Sequence, residues 1–523
     1  MFKMRSILAM TSAFLVLGLT TAQAQTVTLR SIDRSFSMTG VLRGFDGENY
    51  ELDMPIGTLT LNISQVTCEG DACPDPLADL NEFAIAGSNT LGREMMPELI
   101  EAYAFSIGGD LEVDVLSATQ VKYTILDSDG EMYSTITLNL GDSDDAFVAL
   151  ENGDAYIGLS SRRANDGERN RFLRNGKGDL TSAEQERILA LDALAVSVNP
   201  RNPIQTLSLS QIADIFAGNI RNWREVGGLD APISIYRRDA ASGATQVFEQ
   251  LAMEPNRQVL SNTAFIMEDN AVISDAVAGD QNGIGITSLA DERNAQILAL
   301  RSICDQVSYP SDFSIKTEEY PMSRRMYMYV NGGPLPPKVE EFINFATSDE
   351  VQDIVERSGF VSQNVSRASL NDQGRRLARA LMAERDRASL ELLQELVAGL
   401  LDAERISITL RFKSGSVEPD NRALGDIARL AEMVQAGDFE GKRLMIIGFA
   451  DNIGAINENQ RLSQARAESV RDVLVEALGI DEGAGDEGTV QFTPFGYGKL
   501  FPIGCNETED GRDTNRRVEI WVR

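Results

Sequence analysis

The sequence of 523 residues contains no histidine. Serine–histidine–aspartate and cysteine–histidine catalysis are excluded on that ground, as is any metal site with an imidazole ligand. Cysteine is scarce, at four residues. None precedes Cys68, which excludes lipid attachment to a cysteine just behind an N-terminal leader. No run after the first residues reaches the ~18 apolar positions that a membrane helix needs. Basic residues are in deficit: 48 Lys and Arg stand against 79 Asp and Glu, a formal net charge of −31. A surface this acidic repels phosphate backbones and argues against a nucleic-acid partner. A small anion in a locally positive pocket is not excluded by it.

What is present begins with a leader. Lys3 and Arg5 form a basic start, residues 7–21 are apolar, and Ala22-Gln23-Ala24 is a small-x-small cleavage pattern. This predicts a secretory signal peptide over residues 1–24, cut before Gln25. Its loss removes two basic residues and takes the charge to −33. Secretion permits disulfides. Cys68 and Cys73, in a Gly- and Asp-containing turn, are expected to pair. Cys304 and Cys505 either pair across domains or stay free.

At roughly 100–200 residues per domain, the length predicts about three domains. Residues 25–76 alternate apolar and polar types between Gly-rich turns, a small β unit. Residues 77–365 alternate short apolar runs (Phe83–Ala86, Tyr156–Leu159, Leu194–Val198, Ile233–Tyr236) with amphipathic stretches, which predicts an α/β domain with a largely parallel sheet. Residues 366–402 are rich in Ala, Leu, Arg and Glu. They read as a helical linker, or as a helix packed on one neighbour. Residues 403–523 read as strand, helix, strand, helix, strand, strand, an α+β unit. The fold class is a multidomain α/β chain.

In the last unit, Leu444–Phe449 is a continuous apolar run, and Asp451 stands just past it. On the following helix Arg466 falls within the apolar arc of Leu462, Val470, Val473 and Leu474. A guanidinium on a packed side must be paired. An Asp451–Arg466 ion pair would only fix the loop. A split pair would bind a zwitterionic amino acid, with Asp451 on its ammonium and Arg466 forked on its carboxylate.

Gly448-Phe449-Ala450-Asp451-Asn452-Ile453-Gly454, Asn459 through Val470 and Gly511 through Ile520 resemble, in order, the OmpA-like peptidoglycan-binding family. The resemblance implies that Asp451 and Arg466 hold the diaminopimelate residue of the peptidoglycan stem peptide, with Asn459 and Asn515 supporting the site. It implies a periplasmic location at the cell wall and outer membrane. The family's common Gly-His-Thr-Asp is Gly-Phe-Ala-Asp here.

In the middle unit, three strand–turn–helix junctions carry hydroxyl and Gly residues: Gly87–Leu91, Gly158–Arg162 and Tyr236–Thr245. Helix N-termini attract anions, although Ser and Thr are also ordinary caps. Residues 212–223, together with these junctions and Gly283–Ile286, resemble the phosphate-binding proteins of ABC importers over about residues 80–365. The resemblance implies a two-lobed periplasmic-binding-protein fold closing on phosphate. Its ligands would come from Ser88, Thr90, Ser160, Ser161, Arg238, Ser242 and Gly243, and an ABC permease would be its partner. Two departures stand out. Ala244 replaces a hydroxyl, and Ser161 stands where some members carry the Asp that rejects sulfate; Asp239 is a candidate substitute. The expectation is a peptidoglycan-anchored oxyanion receptor without enzymatic activity, cofactor or metal. The alternative is an envelope scaffold that has lost the anion.

Overall fold

A computed structural model describes residues 26–523, except 32–35, 47–48, 63–64, 71, 74–76, 78–79, 413–414, 418–420 and 481–489. The leader expected over 1–24 lies outside the described residues. Contacts divide the chain into two units, at Asp79 and Leu80. Among the described residues no helix is long and apolar enough to cross a membrane.

The first unit is a five-stranded antiparallel sheet of Thr26–Ser31, Ser37–Phe45, Asn49–Met54, Gly57–Asn62 and Val66–Glu69. Its alternating residues Val27, Leu29, Tyr50, Leu52 and Val66 form a small core. Cys68 and Cys73 are bonded in it, as the spacing predicted.

In the second unit, residues 80–360 form two lobes with separate cores. One gathers Phe83, Leu99, Ile136 and Phe342; the other gathers Leu194, Phe216, Trp223 and Ile284. One strand runs through both, and a second meets it where the lobes join. Glu186–Val198 has 13 residues, a reach of roughly 40 Å. Its Leu189 and Ala190 lie in the first core, and its residues from Leu191 to Val198 serve the second. It pairs antiparallel with Ser323–Val330. At their crossing Asp192 accepts from Arg324 Nε and Nη2, at 2.8 and 2.6 Å, with both side chains almost fully buried. The sheet is mixed, which corrects the largely parallel expectation. Glu82–Ser88 is parallel to Met132–Gly141 and Ile157–Ser160, but the crossing strands and the hairpin Asp110–Ser117/Gln120–Leu126 are antiparallel. Continuous apolar runs report burial on both faces and leave strand direction open.

The C-terminal sheet has the order Arg367–Ser369, Glu404–Arg411, Arg517–Val522, Arg443–Gly448, Gln491–Gly496. Helices Asn421–Gln435 and Ile456–Leu478 cover one face. The expected helical linker over 366–402 is corrected: it is a strand and two helices, Gly374–Ala383 and Arg387–Leu400. Leu377, Leu393, Leu396 and Leu400 pack onto Met445, Ile447 and Trp521 of the sheet's other face. An apolar face of that width is stable only when covered. A short helix, Glu509–Asn515, also precedes the last strand and was not anticipated.

The Asp192→Ala protein would leave the Arg324 guanidinium buried without its carboxylate. A loss of roughly 3–5 kcal/mol is expected. It is read as a lower denaturant midpoint of the full chain, and an unchanged midpoint would refute the clasp.

Candidate functional site

Strand register brings the middle unit's candidate loops together. Ser88 lies opposite Gly141, and Gly87 opposite Leu159, so three parallel strands end at one edge. Crevices form at such carboxyl ends. The second lobe faces this edge with the loop after Ser234–Arg237. Ser88, Thr90, Ser160, Ser161, Arg238, Ser242 and Gly243 are all buried.

The lobes touch directly. Ser161 N donates to Ser143 Oγ at 3.0 Å, and the two hydroxyls are 3.2 Å apart. Gly243, from the other lobe, lies against both: a Cβ there would sit 2.3 Å from Ser143 Oγ and 2.5 Å from Ser161 Oγ. Arg238 Nη2 donates to Asp142 Oδ1 at 3.2 Å. Asn270 Nδ2 reaches Thr90 Oγ1 at 3.4 Å, and Gln246 Nε2 reaches Asp144 at 3.2 Å.

The structure brings Ser161, Arg238 and Gly243 to this contact, with Thr90 on its flank. Ser88 stands at the start of helix Asn89–Glu94, and Ser242 at the start of Gly243–Phe248. Ser160 is taken up by its own turn: its hydroxyl donates to Arg162 O at 2.7 Å. Asp239, the proposed substitute acid, accepts from its loop's Ala241 and Ser242 N–H groups at 2.9 and 3.0 Å. The acid that faces Arg238 is Asp142, which sequence reasoning missed. Burial raises its pKa, Asp239, Asp145 and Asp144 add to the rise, and Arg238 opposes it. Its signal was masked: Asp142 precedes helix Ser143–Asn152, and Asp145 Oδ2 accepts from its N–H at 2.8 Å, so the pair reads as a cap.

The C-terminal pocket, a cavity of about 400 Å³, is lined by Asp451, Asn459, Leu462, Arg466, Glu509 and Arg516 among others. Two close approaches build it. A Cβ on Gly448 would sit 1.9 Å from Ser463 O, and one on Gly496 would sit 2.4 Å from Gln464 N, so glycine lets the long helix lie on the strand ends. Arg466 is fully buried at mid-helix, as the apolar arc implied. Its Nε donates to Ser416 O at 3.0 Å, and it lies 5.2 Å from the Phe412 ring. Burial and then the Arg516 cation push its pKa down to about 10, against Asp451, so it stays charged near neutrality.

Asp451 Oδ2 accepts from Arg516 Nη1 at 2.8 Å, and its Oδ1 accepts from Ile453 N at 2.9 Å. The ion-pair partner of Asp451 is therefore Arg516. Asn459 Nδ2 donates to Asp451 O at 3.1 Å and fixes the loop. Asn515 binds Ile503, Gly504 and Asn506, so it shapes the rim. Arg517 turns inward to Glu519 at 2.7 Å. Among the described residues, the one group of ligand-type side chains close enough for a metal is Cys304, Cys505 and Glu507; its two cysteines are bonded to each other.

The Gly243→Ala protein is expected to disfavour this closed contact by about 1–3 kcal/mol, because hydroxyls on the other lobe must give way. Small-angle scattering should then show a larger radius of gyration than wild type. Superposable profiles would contradict the contact.

Two family models match the chain: a PBP superfamily domain over residues 131–350 and the OmpA family over residues 411–516. A phosphate-binding protein PstS from Borreliella burgdorferi is 27% identical over 190 residues, 35% of this chain and 68% of its own length. Outer membrane protein A from Bordetella avium is 38% identical over 111 residues, 21% of this chain. The match spans about half of that relative (51%). A crystal structure of a putative phosphate ABC transporter substrate-binding protein with bound phosphate, from Clostridium perfringens, is 26% identical. It covers 54% of this chain and 99% of its own at a TM-score of 0.42. The chain thus carries a PstS-like domain of the PBP superfamily followed by an OmpA-family domain.

Proposed function

We propose that this PstS-like domain joined to an OmpA-family domain makes a peptidoglycan-anchored periplasmic receptor that takes an oxyanion, phosphate first, into its interlobe cleft. The observation that carries the reading is the convergence of Arg238, Ser143, Ser161 and the Gly243 backbone from two lobes onto one buried contact. A guanidinium, hydroxyls and a helix N-terminus are the donors an oxyanion needs. Relatives named as phosphate-binding proteins support the choice of phosphate. Asp451, Arg466 and Arg516 would hold the zwitterionic diaminopimelate end of a stem peptide, with Asn459 and Asn515 as supports. An importer-type permease is the candidate recipient of the anion. We assign no enzymatic activity, since the sequence lacks histidine and the relatives are binding and OmpA-like proteins.

The scaffold alternative draws on one observation. The Asp142 carboxylate already sits on Arg238, where an anion would sit. A fully ionised oxyanion meets this carboxylate as a like charge; a protonated one donates a hydrogen bond to it. The raised pKa of Asp142 fixes the sign. In the folded protein its protonation is favoured at low pH, and that contribution fades as pH rises through the raised value. Binding of a fully ionised anion therefore takes up a proton, whereas a protonated anion brings its own.

Calorimetric titration separates these readings. Phosphate is expected to bind near neutral pH and to lose at least tenfold in affinity in the Arg238→Ala protein, a charged hydrogen bond being worth about 1.5–3 kcal/mol. No heat with either phosphate or sulfate would favour the scaffold.

Sulfate carries no titratable proton near neutrality, so its affinity should rise as pH falls toward the carboxylate range. Asp142→Asn should flatten that dependence and bring the phosphate and sulfate affinities together. A pH dependence identical to wild type would exclude Asp142 as its source. In parallel, sedimentation with purified cell-wall sacculi should be lost in the Asp451→Ala/Arg466→Ala protein.

A further inference from the structure

The inter-module disulfide Cys304–Cys505 joins the second lobe to the loop whose next residue, Asn506, is hydrogen-bonded to Asn452 beside the pocket residue Asp451. Its sequence separation of 201 residues gave no local signal for pairing. On one side, Cys304 belongs to the turn between strands Ala299–Arg301 and Val307–Ser308, where Ser302 N donates to Gln306 O at 2.8 Å. That hairpin is rooted in the second lobe, since Leu298 and Leu300 are part of its core. On the other side, Cys505 opens the loop that forms the pocket rim.

The rim loop has a tight internal network. Gly511 packs so closely on Cys505 that a Cβ would sit 2.0 Å from the Cys505 carbonyl oxygen. Asn506, the next residue, accepts at Oδ1 from Asn452 N at 3.2 Å and from Asn515 Nδ2 at 3.0 Å. Its carbonyl accepts from Arg512 Nη1 at 2.9 Å. Asn452 adjoins Asp451, and Glu509, Arg512 and Arg516 line the pocket. The bridge is thus one residue from the group that ties the rim to the Asp451 loop.

We infer that Cys304 and Cys505 are positioning residues for the C-terminal pocket: the bridge uses the second lobe as an anchor to hold the 503–512 rim, and with it Arg516 and Asp451, in the ligand-ready arrangement. The inference rests on the reading of that pocket as a stem-peptide site. Reduction releases the rim, which must then be ordered again at the moment of binding, and affinity falls by that ordering cost. The anion cleft is built from other loops and keeps its affinity.

The test uses the full-length Cys68→Ser/Cys73→Ser protein, which retains only the inter-module bridge. Its oxidised and reduced forms are titrated with a soluble L-Ala-D-Glu-meso-diaminopimelate peptide and, separately, with phosphate. Reduction should weaken the peptide by roughly tenfold, within the range of typical intersite couplings. Reoxidation should restore it, and phosphate binding should not change. The Cys304→Ser/Cys505→Ser protein should match the reduced form. Equal peptide affinity in both forms overturns the inference alone. A loss that reoxidation does not reverse, or that comes with loss of the cooperative melt, also overturns it, since the bridge would then serve folding. No peptide binding by the oxidised protein overturns the stem-peptide reading itself.

Discussion

The ion pair of Asp192 and Arg324 sits where the two lobes join, and the geometry of the middle unit depends on it. Asp192 belongs to the strand that passes through both cores and Arg324 to its antiparallel neighbour, and they are direct partners in the register. Taking both charges out of water is costly unless geometry is close and further hydrogen bonds exist. The geometry is close, and Ser288 Oγ from the neighbouring strand donates to the same Asp192 oxygen at 2.7 Å, while Asp192 Oδ1 and Arg324 Nη1 are buried with no hydrogen-bond partner among the described residues. A slip of one residue between the two strands would put the two charges on opposite faces of the sheet and break the pair. Register is therefore fixed at the crossing.

The facing of Ser143 and Ser161 to Gly243 creates an electrostatic problem that an acidic protein must solve locally. Arg162, next to the cleft, is neutralised by Glu168 and Asp144 at 2.6 and 2.5 Å. Arg238, nearly fully buried, pairs with Asp142. Around this pair, Asp144, Asp145 and Asp239 add negative potential. The cleft is thus no simple cationic sink. On the proposed reading, the net attraction for an anion depends on whether one proton is available, either on Asp142 or on the anion. On the proposed oxyanion reading, selectivity resides in protonation more than in shape, with Asp142 supplying an acid to a cleft in which Ser161 stands where some members of the resembled family carry Asp.

The sequence carried different parts of this with different clarity. Strand and helix alternation, and the buried runs at Leu194–Val198 and Leu444–Phe449, were legible because burial leaves a hydrophobic trace. Arg466 was legible as a charge within an apolar arc. Arg516 was not. It adjoins Arg517, and the two are alike in sequence; the period of two along a strand sends one inward to Glu519 and the other into the pocket. Asp142 escaped for a related reason, since an acid before a helix with another acid three places on is an ordinary cap. The Cys304–Cys505 pairing depends on how two modules dock, and no local spacing encodes that.

Docking also changes what the 366–402 segment does. As one free helix it would have given the receptor a reach of roughly 55 Å from its anchor. Folded onto the sheet it gives none, and its Arg376 instead joins Arg405 and Arg517 around the buried Glu519. Burial alone would raise the pKa of that carboxyl, but the three guanidiniums hold it well below the usual range. Arg405 also pairs with Glu319 of the second lobe at 2.5 Å, and Arg411 donates to Thr317 O at 2.6 Å. These contacts, like the Cys304–Cys505 bridge, fall on residues rooted in the second lobe's core. The first lobe's share of this interface includes Arg429 with Asp349, a pair in which Asp349 is half exposed. Exposed pairs of this kind contribute little. On the proposed receptor reading, the cleft therefore opens by movement of the first lobe against a second lobe held to the C-terminal module.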